Sequence, residues 1–124
     1  MPKQKIVIIG CTKTMDNICI GCSRCMVGFN RRKGEFERYG DFAELTAILG
    51  CGGCPGVGIV PRMAQLKLWN SQMGEVPNKV HIAPCITMYC PNKDMLIQNI
   101  KAKSGCGVIE GTHPFLPENI FAIT

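Results

Sequence analysis

Along this chain, uninterrupted apolar runs alternate with stretches of helical periodicity. Residues 5–10 (KIVIIG) form a continuous apolar run ending in Gly and Cys, the pattern of a strand buried on both faces of a parallel sheet. Similar runs at 45–50 (LTAILG), 80–83 (VHIA) and 108–110 (VIE) predict three more strands. Between the second and third, Pro61 suits the first turn of a helix, and Met63, Leu66, Trp69 or Asn70, and Met73 follow at helical spacing until Gly74. Between the third and fourth, Asn92 can cap a helix whose apolar face is Met95, Leu96, Asn99 and Ile100, ended by Gly105. The longer first connection predicts a helix around 23–31 and a short turn around 36–39. Strands alternating with crossovers of this length predict an α/β fold. The expected form is a three-layer sandwich on a four-stranded, mainly parallel sheet with flavodoxin-like or Rossmann-like strand order.

Length and composition fit that picture and add one anomaly. With 124 residues, 46% hydrophobic and 19% charged, the chain suits a single domain spanning 1–124, with no repeat or linker. It also holds nine cysteines. The apolar run near the start, Ile6 to Ile9, is too short for a signal peptide or a membrane span, so a cytoplasmic location and no membrane partner are expected. In a reducing compartment, clustered cysteines serve metal or redox chemistry more often than disulfides. The net charge of +5 is spread out apart from Arg31, Arg32 and Lys33, and aromatics are only 6%. No nucleic-acid partner is therefore expected. Two cubane clusters of core charge 2+, each on four thiolates, would bring the charge down to about +1.

In a parallel sheet, the residues just past the strand ends gather on one edge. Cys11 and Thr12 follow the first strand, Cys51, Gly52, Gly53 and Cys54 the second, Cys85 the third, and Thr112 and His113 the fourth. Four sulfurs from three loops then meet, which is the ligand number of a tetrahedral zinc or a cubane cluster. The glycines of LGCGGCPG let backbone bend tightly around such a center. A second group, Cys19, Cys22 and Cys25 in CIGCSRC, has the C-x-x-C-x-x-C spacing of bacterial ferredoxins, and Cys90-Pro91 supplies a fourth ligand of the usual kind. Cys85 and Cys90 can divide between the two groups. Cys106 precedes the fourth strand, at the opposite edge, and reads as structural. His81, inside a strand, reads as a satisfied histidine rather than a ligand, whereas His113 can ligate metal, hydrogen-bond a sulfur or move a proton.

Taken together, these residues resemble the CGGC-domain family. The motifs are CTKT at 11–14, Cys19, RKGEFERYG at 32–40, CGGCPG at 51–56, His81 and Cys85, Cys90-Pro91, and Gly-Thr-His at 111–113. The resemblance implies a metal-binding domain, with zinc as the metal its cysteines and histidines suggest. It brings no substrate with it.

Thiols beyond one zinc's four ligands favor iron and sulfide. The expected function is a binding and electron-transfer module holding one or two iron-sulfur clusters of the 4Fe-4S type. They would sit on Cys11, Cys51, Cys54 and Cys85 and on Cys19, Cys22, Cys25 and Cys90, with Gly52, Gly53, Thr12 and His113 lining them. Zinc on the first set is the alternative, as is a thiol-disulfide oxidoreductase using Cys51 and Cys54. An open edge of this kind suits a transient redox protein partner. The apolar tail FLPENIFAIT can pack back on the domain or pair two copies as a homodimer. A C-x5-R phosphate loop at Cys25 to Arg31 is disfavored because it does not open from a strand end, and the first turn lacks the G-x-G-x-x-G of a dinucleotide site.

Overall fold

The computed structural model describes residues 4–12, 23–52, 58–87 and 90–112. Within them the strands are β1 (Gln4–Gly10), β2 (Ala43–Gly50), β3 (Lys79–Ile82) and β4 (Gly107–Glu110). The helices are α1 (Ser23–Asn30), α2 (Ile59–Asn70), the short α3 (Pro84–Thr87) and α4 (Lys93–Ser104), with 3-10 turns at Gly34–Tyr39 and Ser71–Met73. All pairings are parallel and the strand order is β2-β1-β3-β4. That is the order of the first four strands of a flavodoxin-like sheet, not of a Rossmann sheet.

Period-two alternation in β1 sorts the core into two clusters. Val7 and Ile9 join Val80, Ile82, Ile59, Met63, Ile86, Leu96, Ile97 and Ile100, so α2, α3 and α4 cover that face. Ile6 and Ile8 join Phe29, Phe36, Tyr39 and Ala43, so α1 and the first 3-10 turn cover the other. The central strand is apolar on both sides because both sides are covered.

β2 contains an irregularity that the sequence does not announce. Ile6 pairs with Leu45 but Val7 pairs with Ala47, so Thr46 is an extra residue in the ladder. Leu45 packs with the Ile6 cluster, whereas Ala47 and Leu49 pack with the Val7 cluster. A β-bulge thus reverses the phase of the strand. Everything beyond Thr46, Cys51 included, is turned to the opposite face from the one a regular ladder would give.

The helices differ from expectation in detail. α2 ends at Asn70 and the chain continues as a 3-10 turn. The tighter winding takes Met73 off the inner stripe, leaving it 66% exposed, and Trp69 is exposed as well. In α4 the buried residues are Leu96, Ile97 and Ile100 while Met95 is exposed, so the inner face lies one position further on than the 95/96/99/100 reading. Asn92 precedes α4 without a side-chain cap, and its carbonyl accepts the Leu96 N–H at 3.0 Å.

Candidate metal center at the sheet edge

The C-terminal ends of the four parallel strands form one edge. There the β1 and β2 ladder runs on, the Cys51 N–H donating to the Gly10 carbonyl at 2.9 Å. Gly10 and Gly50 are paired, so Cys11 and Cys51 leave neighboring strands side by side, roughly one strand spacing of ~4.8 Å apart in the backbone. Cys51 is 5% exposed within the aliphatic cluster, and Cys11 and Cys90 pack against the same cluster. The bulge at Thr46 is what brings Cys51 to this side with Cys11.

Thr12 ties the two strand ends together. Its Oγ1 accepts the Gly52 N–H at 2.9 Å and lies 3.9 Å from the Cys51 Sγ. Two glycines make room for this. A Cβ on Gly50 would fall 2.3 Å from Thr12 Oγ1, and Gly52, at φ 85°, has its Cα side against Gly58, where a Cβ would meet the Gly58 Cα at 2.8 Å. Gly52 is therefore required on both conformational and steric grounds. The loop carrying Cys51 is fastened at the start of its turn and closed against the entry to α2.

Cys25 lies elsewhere. It is the third residue of α1, 6% exposed, in the cluster on the other face. Its Sγ is 3.5 Å from the Oγ1 of Thr112, which is 1% exposed just past β4. Thr112 continues from a well-held backbone: the Gly111 N–H donates to the Ile82 carbonyl at 2.8 Å, and the Thr112 carbonyl accepts the Glu35 N–H at 3.1 Å.

His81, fully buried in β3, is satisfied at both nitrogens. Nδ1 is 2.8 Å from the Gly111 carbonyl and Nε2 is 2.5 Å from the Tyr39 hydroxyl. A carbonyl only accepts, so Nδ1 carries the proton and Nε2 accepts from Tyr39. Burial lowers the imidazole pKa below its ordinary value, against a smaller upward pull from the Gly111 carbonyl. Burial also pushes the Tyr39 phenol up to about 12, so both groups are neutral at pH 7. Sequence periodicity gave no sign of this pair. A polar residue inside an apolar strand was the available signal, and Tyr39, 42 positions away, has no pattern linking it to His81.

The two cysteine groups read from the sequence are partly visible. Cys11, Cys25, Cys51 and Cys90 are placed, with Cys25 packed on one face of the sheet and the other three against the opposite cluster. Cys85 lies in α3 at the end of β3, while its side chain, together with Cys19, Cys22, Gly53, Cys54, His113 and the tail, lies outside the described residues. Among the described residues no three His, Cys, Asp or Glu side chains converge to hold a metal. Thiols in apolar surroundings, beside glycine backbone and a hydroxyl donor, nonetheless fit a thiolate-held metal or cluster in chemistry. Cys106 sits at the N-terminal edge, its Sγ 3.3 Å from the Pro77 carbonyl.

A family model described as the CGGC domain matches residues 5–113. No curated protein and no solved structure matches the chain. Among the described residues no helix is long and apolar enough to cross a membrane. The match covers all of these elements except Gln4, the first residue of β1, and suggests a cysteine-rich metal-binding protein. The chain belongs to the CGGC domain family.

Proposed function

We propose that this protein holds one or two 4Fe-4S clusters at the C-terminal edge of its sheet and passes single electrons to a transient protein partner. The observation that carries the reading is the side-by-side exit of Cys11 and Cys51 onto one face. Cys54 and Cys85 complete that set with Cys11 and Cys51, and Cys19, Cys22, Cys25 and Cys90 form the second. Bound there, an iron-sulfur cluster supplies one-electron transfer. The chain supplies thiolates, a dry wall and directed hydrogen bonds. When Cys51 is a thiolate, the Thr12 hydroxyl, already accepting from Gly52, turns its proton to the sulfur. Such contacts fix ligand geometry and tune the center.

Zinc on the first set is the second reading, favored by the same pair of thiols, which suit either metal. The oxidoreductase reading is weaker because Cys51, at 5% exposure, is walled from the solvent a dithiol nucleophile must meet.

The test is metal and acid-labile sulfide content, with an absorption spectrum, on protein purified without oxygen. Iron with matching sulfide supports the proposal; zinc near one per chain without sulfide replaces it with the second reading. Cys11→Ala and Cys54→Ala are expected to lose metal while Cys106→Ala keeps it. Retention in both edge variants would overturn the site.

A further inference from the structure

We propose that the Thr112 hydroxyl donates a hydrogen bond to the Cys25 thiolate of the metal center, and that His81 and Tyr39 are positioning residues that hold Thr112 in place. This rests on the reading that Cys25, in its C-x-x-C-x-x-C run, is a ligand. A metal-bound thiolate only accepts, so at 3.5 Å the Thr112 O–H is the donor. Both atoms belong to buried residues, where no water competes and a hydrogen bond counts for more.

What makes Thr112 more than a neighbor is the way its backbone is held. The segment after β4 is gripped at two successive carbonyls by groups from other elements. His81 Nδ1–H donates to the Gly111 carbonyl and the Glu35 N–H donates to the Thr112 carbonyl. The Tyr39 hydroxyl locks the far side of the imidazole, and the Phe36 ring lies against it with centroids 4.7 Å apart. Glu35, Phe36 and Tyr39 all come from the Gly34–Tyr39 turn. The RKGEFERYG segment therefore has a task that the ligand reading alone leaves unassigned, which is to aim Thr112 at Cys25. Donors to a ligating sulfur favor the more electron-rich state of the center, and hence raise its reduction potential.

The experiment compares wild type, Thr112→Val, Thr112→Ser and Tyr39→Phe, purified without oxygen, for iron and sulfide and for the midpoint of a dithionite titration. The expected result is iron in all four. At a fixed poise, the ratio of reduced to oxidized center falls about threefold to tenfold in Thr112→Val. Thr112→Ser restores it, and Tyr39→Phe moves it the same way by less. An unshifted midpoint in Thr112→Val with iron retained overturns the hydrogen bond while leaving the cluster reading intact. Should Thr112→Val fail to fold, an unshifted Tyr39→Phe overturns the positioning role. Wild type without iron and sulfide overturns the cluster reading and this inference with it.

Discussion

The two faces of the sheet are closed by different physics. On one, Val7, Ile9, Val80 and Ile82 meet the aliphatic stripes of α2 and α4. On the other, Phe29, Phe36, Tyr39 and His81 form rings in contact, with Phe29 and Phe36 edge to face at 5.4 Å. The Arg32 guanidinium lies 4.2 Å over Phe29 and donates to the carbonyls of Phe29, Gly40 and Ala43. Aliphatic packing is non-directional, so its cost follows the volume lost; a ring and hydrogen-bond network also depends on the direction of each contact. Each face presents a cysteine at the same edge, Cys51 placed by the strand ladder and Cys25 beside a side-chain relay. Precision of placement therefore has two sources, and they can be perturbed separately.

The largest effect is expected from Phe36→Ala on the ring face. The side chain is fully buried and touches both Phe29 and His81, so its loss should cost about 4 kcal/mol. Ile82→Val on the aliphatic face removes one methylene and should cost about 1 kcal/mol. Urea midpoints on the two variants check both costs, and a Phe36→Ala loss of only about 1 kcal/mol would mean that the ring face repacks freely around the gap.

A pH titration of stability sharpens the same contrast. Burial holds the folded-state pKa of His81 below the ordinary value of 6.5. The folded protein thus keeps the ring neutral while the unfolded chain takes up a proton as pH falls through 6.5. Stability is full above that value and declines below it, by at most about 1.4 kcal/mol per pH unit for one proton, until the folded pKa is reached. In His81→Gln this part of the decline should disappear from stability curves measured by chemical denaturation between pH 7 and 5. An unchanged slope would mean the imidazole is not the group being protonated.

Much of the fold was legible because β1 is apolar on both sides, and an uninterrupted run such as KIVIIG has few other uses. The edge that gathers Cys11, Cys51 and Cys85 followed from parallel strand direction alone. The inner faces of α2 and α4 were less legible. Met73 and Met95 are as apolar as their buried neighbors, and only the 3-10 turn after Asn70 and the rotation of α4 turn them out. The relay through His81 was unreadable because hydrogen bonds between residues distant in sequence leave no periodic trace. The bulge was unreadable for a similar reason: AELTAILG alternates plausibly in either register, and only the pairing with β1 shows that Thr46 is the extra residue.

That bulge gives the smallest and most discriminating prediction. Thr46 Oγ1 is buried and has no hydrogen-bond partner among the described residues. A buried hydroxyl left unsatisfied costs on the order of 1 kcal/mol or more. Valine has the same branched shape and β preference without that hydroxyl, so Thr46→Val should gain about 1 kcal/mol in urea denaturation. The pairing of Val7 with Ala47 and of Gly10 with Gly50 fixes the register through backbone atoms, which the substitution leaves alone. Cys51 should accordingly stay on the Cys11 face, and metal content should equal that of wild type. A loss of stability together with a loss of metal would mean the opposite: the hydroxyl, not the ladder, holds the extra residue in place. The placement of Cys51 would then depend on a side chain rather than on the ladder alone.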